Sequence, residues 1–191
     1  MEPIAVPGTP WVLRPWRDDD RDAAALADAW SDDDIRARCG VPDDAGAAAA
    51  RRWVAGWDER RRRGLALDLV VSEGSDGAAR GEVGLWPFRR HPDGPAEAGV
   101  LEVGWWTGAE HRGRGQARAA VRALLDWAEH RLPVDGVVAR TGPAHPAAEA
   151  IARAAGMAMV EQHDDASTLW RRDLRRVGSV PARAPGPDRG T

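Results

Sequence analysis

Glu110-His111-Arg112-Gly113-Arg114-Gly115-Gln116-Ala117 is the stretch that decides the fold. Before it stands a strand-like run, Val100-Leu101-Glu102-Val103-Gly104-Trp105-Trp106. After it Ala117, Ala120, Val121, Leu124, Leu125, Ala128 and Leu132 recur at helical spacing, which predicts a helix over about 115 to 131 with an apolar stripe. Strand, glycine-rich turn and helix N-terminus together make an anion site. Backbone N–H groups converge on one concavity, and the helix dipole adds partial positive charge. Gly113 and Gly115 let the backbone approach a ligand with no Cβ in the way, while Arg112 and Arg114 carry charge that can pair with phosphate. The competing reading is a tight turn with no ligand.

Two common phosphate loops do not fit. A Walker A loop needs Lys-Ser/Thr after its last glycine, and Gln116-Ala117 stands there. The dinucleotide fingerprint needs a third glycine, and Arg118 occupies that place. What remains is Arg-x-x-Gly-x-Ala, spelled by Arg112, Gly115 and Ala117. This pattern resembles the pyrophosphate-binding motif of the GNAT superfamily of coenzyme A-dependent N-acyltransferases. Leu101 to Trp106 is similar to the acidic, apolar, Gly, aromatic, aromatic strand of its ribosomal-protein-N-acetyltransferase-like branch. Leu13-Arg14-Pro15-Trp16 resembles that branch's opening strand, Val121 to Ala128 its helix, Val137 to Arg140 its next strand, and Pro146 to Met157 its last helix with the closing Gly156. The resemblance covers about Trp11 to Leu174.

Composition is consistent with one domain: 191 residues can bury a single core. No apolar run reaches the ~20 residues that span a bilayer, and the first ten residues lack the basic start and apolar stretch of a signal peptide. The single cysteine, Cys39, forms neither an internal disulfide nor a zinc site alone. A cytoplasmic, non-membrane setting is the expectation. A net charge of -3 gives no reason to expect nucleic acid. The chain has no Lys, Asn or Tyr; all 27 basic residues are Arg, and Trp is present 10 times. That bias weakens any argument from a missing residue type in a motif.

Along the chain, residues 1–10 read as a mobile start, 11–174 as the domain and 175–191 as a disordered Pro/Gly/Arg tail. Helices are expected over about 21–30, capped by Asp18 to Asp20, over part of 31–39, over 47–63 and over 146–155. Strands are expected over 11–16, 65–72, 79–86, 100–106 and 134–140, and a final hairpin over 157–163 and 167–174. Leu65, Leu67, Leu69 and Val71 alternate onto one face, and His91 to Gly99 reads as a loop. These elements make an α/β domain with a mixed sheet.

The resemblance implies a mostly antiparallel sheet flanked by helices, with the strands at 100–106 and 134–140 splayed apart. Acetyl-coenzyme A as acyl donor would lie between them, its pantetheine arm on the backbone of Val103, Gly104, Trp105 and Trp106. Its pyrophosphate would rest on the N–H groups of Arg112, Gly113, Arg114, Gly115, Gln116 and Ala117. Direct acetyl transfer to a primary amine needs a general base. Glu102 is the first candidate and Glu82 the second; for each the competing role is a salt bridge with one of the many arginines. The family's Asn-x-x-Ser before the last helix reads His145-Pro146-Ala147-Ala148, so the usual Ser is Ala148 and no Tyr can replace it. His145 either contacts the donor or is simply solvated. Asp32 to Asp34 read as helix caps, with attraction of a cationic amine as a second use, Arg60 to Arg63 as a solvated last turn, and Trp30, Trp53, Trp57, Trp86 and Trp105 as core residues or acceptor walls. Three functions stay open: an N-acetyltransferase acting on a protein N-terminus, an aminoglycoside-like antibiotic or a small metabolite; a catalytically weak acyl-coenzyme A-binding module; and a nucleotide-phosphate binder of another kind. No metal is called for, and an exposed Trp-rich surface would fit a homodimer.

Overall fold

The computed structural model describes residues 1–163 and 167–174; the tail expected from Arg175 on lies outside them. Eight strands form one sheet in the order β1-β2-β3-β4-β5-β6-β8-β7. They are β1 Ile4–Ala5, β2 Trp11–Pro15, β3 Leu67–Glu73, β4 Gly81–Arg89, β5 Ala96–Thr107, β6 Gly136–Thr141, β7 Ala158–Gln162 and β8 Thr168–Asp173. Neighbours run antiparallel except β5 and β6. The helices are α1 Asp20–Trp30, α2 Asp33–Arg38, α3 Ala47–Ala55, α4 Trp57–Arg62, α5 Gln116–Arg131 and α6 Pro146–Ala154. This is the mixed, mostly antiparallel α/β sheet that the sequence leads one to expect.

Strand alternation assigns the two faces. Cross-strand partners Leu13–Val71, Leu69–Val83 and Leu85–Val103 are all buried on one face. There α5 lays down Ala120, Val121, Leu124, Leu125 and Ala128. The opposite face carries Arg14, Val70, Glu82 and Trp106 in register and meets α1. Asp19 caps α1 by accepting the N–H of Asp22 at 2.8 Å. Asp22 in turn grips Arg14 with both oxygens, at 2.6 and 2.8 Å. The pair is 2% and 0% exposed, so either charge alone would be a buried ion without a partner. Asp22→Ala is therefore expected to cost about 3–5 kcal/mol of stability, read as a lower urea midpoint at unchanged slope; a midpoint shift below that of an ordinary surface substitution would contradict it.

Several elements differ from expectation for identifiable reasons. The helix expected over 47–63 breaks at Gly56. In a continuous helix the Trp53 carbonyl would accept from residue 57; here it accepts from Arg60 Nη1 at 2.7 Å, and a Cβ on Gly56 would lie 3.1 Å from that nitrogen. The start expected to be mobile contains β1, paired with β2 through Ile4–Leu13 and Ala5–Val12, and Val6 is buried because its apolar side chain finds the core. Leu65 lies outside β3 and is exposed, while Asp68, Val70 and Ser72 are buried beside Leu69 and Val71 because helices cover both faces. The loop expected over 91–99 is shorter, since β5 begins at Ala96 opposite Arg89. No tryptophan is among the exposed large hydrophobic residues, so the Trp-rich surface expected for a dimer is absent among the described residues. No helix among them is long and apolar enough to cross a membrane.

Candidate active site

The site begins where β5 and β6 part. They pair only through Val100–Gly136, Leu101–Val137 and Glu102–Val138. Beyond Glu102, β5 stays paired with β4 as far as Thr107, but its other edge, Val103 to Thr107, has no strand beside it. That edge offers backbone donors and acceptors to an extended ligand. Gly104 has a further task. A Cβ there would stand 2.3 Å from Trp86 Cη2, so only glycine lets the Trp86 indole lie across β5.

The chain then turns through Ala109–His111 and enters α5. Gly113 and Gly115 have φ of 74° and 76°, the left-handed region where a Cβ is strained. No side chain caps α5, and its first intrahelical bond runs from the Ala119 N–H to the Gly115 carbonyl. The N–H groups of Gln116, Ala117 and Arg118 therefore lack helical acceptors and face the turn. Nothing lies within 4 Å of the Cβ positions of Gly113 and Gly115, so the concavity is open. This is a fit for a pyrophosphate.

Two side chains of the turn bear on how it could meet an anion. The Arg112 N–H is already bonded to the Ala109 carbonyl at 3.3 Å, and its guanidinium pairs with Asp32 at 2.8 Å and Asp34 at 3.2 Å. The Arg112 guanidinium thus ties the turn to α2, whereas exposed Arg114 carries no such pairing among the described residues. The Gln116 side chain turns inward and is buried beside Gly81, leaving only its backbone for a ligand. Within the acidic cluster, Asp32 caps α2, and Arg112 holds the Asp32 carboxyl below its ordinary range.

A cavity of about 1360 Å³ connects the open edge of β5 with the face under α1–α4. Single-ligand pockets measure about 300–1,000 Å³, so this one has room for a donor and an acceptor. His145, just before α6, and Ala148 within it line one end; Trp30, Trp53 and Trp86 line the other, with Trp105 and Trp106 between. Trp57, expected as an alternative wall, is core: its indole N–H donates to the Asp68 carbonyl. Burial and the charge of Arg38 lower the His145 pKa. Burial pushes Cys39 up to about 11, which keeps it an inert thiol.

Both candidate carboxylates reach the cavity, but their partners differ. Glu102 meets Arg140 Nη1 with its two oxygens, at 3.0 and 2.8 Å. Arg140 also stacks over Phe88 at 4.9 Å and donates to the Arg89 carbonyl at 2.6 Å. Glu82 accepts one indole N–H on each oxygen, from Trp16 at 2.7 Å and Trp106 at 3.3 Å. Among the described residues no cation forms an ion pair with it, and the charge of Arg60 acts only from beyond contact distance. Burial, then the negative charge of Asp68, pushes its pKa up to about 8. Asp68 is also raised by burial, and Arg60 lies 3.4 Å from it. Arg60, expected in a solvated turn, stacks on Trp53 at 4.1 Å inside the cavity, while Arg61 and Arg62 pair with Asp58 at the surface. Sequence reasoning did not connect Trp16, Trp106, Asp68, Arg60 and Arg140 with these two carboxylates. Only strand register brings them to Glu82 and Glu102, and no motif records register.

The profile of the Acetyltransferase (GNAT) domain matches residues 11–158. The uncharacterized protein YkkB of Bacillus subtilis is 28% identical over 108 residues, which span 56% of this chain and 59% of that protein's length. Among solved structures, RimJ of Mycobacterium smegmatis in complex with a coenzyme A disulfide superposes with a TM-score of 0.67 at 20% identity, covering 85% of this chain and 81% of that one. The microcin self-immunity acetyltransferase MccE, in complex with acetyl-coenzyme A and AMP, gives 0.67 at 12% identity, covering 86% and 92%.

Proposed function

The chain belongs to the GNAT acetyltransferase family, a family of acyl-coenzyme A-dependent transferases, and from that premise we propose that it is an N-acetyltransferase of the ribosomal-protein-N-acetyltransferase-like branch, moving an acetyl group directly to a primary amine. The observation that carries this reading is the uncapped N-terminus of α5, entered through two left-handed glycines, beside the open edge of β5. The N–H groups of Gly113 to Arg118 hold the pyrophosphate of acetyl-coenzyme A, with Arg114 and Arg118 as nearby charge. The backbone of Val103, Gly104 and Trp105 receives the pantetheine arm. The donor supplies an activated thioester carbonyl. The chain supplies the place where the attacking amine loses its proton.

That place is Glu82, ahead of Glu102. A base must hold an open lone pair at working pH, and its optimum pKa lies near that pH. Glu82 meets both demands: indole donors fix it without neutralising it, and burial raises it toward neutrality. Glu102 is engaged by a guanidinium on both oxygens, which makes it a strut between β5 and β6. Glu102→Gln is expected to lower kcat by less than about tenfold, whereas loss of a positioned base costs about 10²–10⁴; a hundredfold loss would return the base to Glu102.

The acceptor lies between the sheet face and α1–α4, against Trp30, Trp53 and Trp86. A protein N-terminus, an aminoglycoside-like antibiotic and a small amine metabolite all present the required primary amine. A second reading, a weakly catalytic acyl-coenzyme A-binding module, is favoured by one observation: α6 presents buried Ala148 at the place where the family commonly has a hydroxyl. Release of coenzyme A thiol from acetyl-coenzyme A, with and without a panel of these amines, decides between them. Amine-dependent release supports the transferase; binding with no amine-dependent release supports the module.

A further inference from the structure

We propose that Arg112 is a positioning residue that couples donor binding to the acceptor wall by fastening α2 to the phosphate turn. The inference rests on the reading of that turn as the donor site. All three guanidinium nitrogens are committed. Nε donates to the Thr107 carbonyl at 3.1 Å, Nη1 to Asp34 at 3.2 Å, and Nη2 meets Asp32 at 2.8 Å. One side chain thus joins the end of β5, the turn and α2. The planar fork allows this; an ammonium could not span the same three partners in fixed geometry.

The helix at the other end depends on that tie. α2 has six residues, and only Ile35 among them is buried. A helix so short has little stability of its own. Asp32 divides its carboxylate between two tasks: Oδ1 caps α2 through the N–H groups of Asp34 and Ile35, and Oδ2 holds Arg112. The element fastened in this way presents Asp34, Ile35 and Arg38 to the cavity. Arg112 directly precedes Gly113 and Gly115, the two left-handed residues that shape the cradle. An anion that fixes those glycines fixes the root of the Arg112 side chain, and through it the N-terminus of α2. Coupling of this kind is reciprocal, so an acceptor that orders α2 tightens donor binding by the same factor.

Hydrogen exchange at the α2 amides, with and without saturating acetyl-coenzyme A, tests the link, with calorimetry fixing the affinity of each variant. In the wild-type chain the ligand is expected to slow α2 exchange by about fivefold or more. Arg112→Met is expected to lose that slowing while its acetyl-coenzyme A affinity falls by no more than the same factor. Asp34→Asn, which leaves the cap intact, is expected to reduce the slowing, so the test survives a poorly folded Arg112→Met. Wild-type exchange indifferent to the ligand, or unchanged slowing in both variants, would overturn the proposal. Failure of acetyl-coenzyme A to bind the wild-type chain at all would overturn the donor-site reading itself, and the proposal with it.

Discussion

Gly115→Glu is expected to lower coenzyme A affinity at least about thirtyfold, from two independent penalties. A side chain at φ 76° is strained by about 1–2 kcal/mol in the left-handed region. A carboxylate placed about 4 Å from a pyrophosphate adds repulsion of about 1–4 kcal/mol, depending on how far solvent is excluded. Overlap with the protein contributes nothing, since no atom lies within 4 Å of the added Cβ. The side chain would enter the space assigned to the ligand. Gly115→Ala carries the strain alone and serves as the control, with a loss of about thirtyfold or less. Calorimetric titration of both variants separates the terms, and an unchanged affinity in Gly115→Glu would remove the phosphate assignment.

The second large effect is at Glu82. Glu82→Gln is expected to reduce turnover by about 10²–10⁴ with coenzyme A affinity intact. In the unsubstituted chain, activity should rise with pH through about 8, where the carboxyl ionises. Stability has the opposite sign. The folded chain holds a proton on Glu82 that the unfolded chain, with an ordinary value of 4.5, has already released. Ionising Glu82 therefore opposes folding as pH rises between these two values. Glu82→Gln should consequently be at least as stable as the parent at pH 8, so lost activity cannot be assigned to unfolding. A variant with a normal pH–rate profile would discard Glu82 as the base.

The turn and helix start proposed as the donor site were legible in sequence because they are local. Gly113, Gly115 and the start of α5 are consecutive, and the chemistry of a helix N-terminus needs no distant partner. The strands and helices followed from periodicity for the same reason, as in the stripe from Ala120 to Ala128. The acceptor half depends on contacts far apart in the chain. Glu82, second to Glu102 in the sequence reading, moves ahead of it only when the register sets Trp106 opposite it and brings Trp16 within 2.7 Å. Glu102, which the motif ranks first, is claimed by Arg140, 38 residues away. The break at Gly56 was hidden because propensity favours a continuous helix, whereas a guanidinium takes a single carbonyl. Arg112 shows the limit of motif reasoning most directly: its place in the motif suggests a phosphate ligand, and the motif gives no sign of its pairing with Asp32 and Asp34.

The most direct measurement is a calorimetric titration of the wild-type chain with acetyl-coenzyme A, with ATP and NAD as controls. Saturable binding of acetyl-coenzyme A at micromolar concentrations, with neither control binding comparably, is the expected result. No binding of acetyl-coenzyme A, or equal binding of all three, would contradict the assignment of the α5 N-terminus and the β5 edge as the donor site.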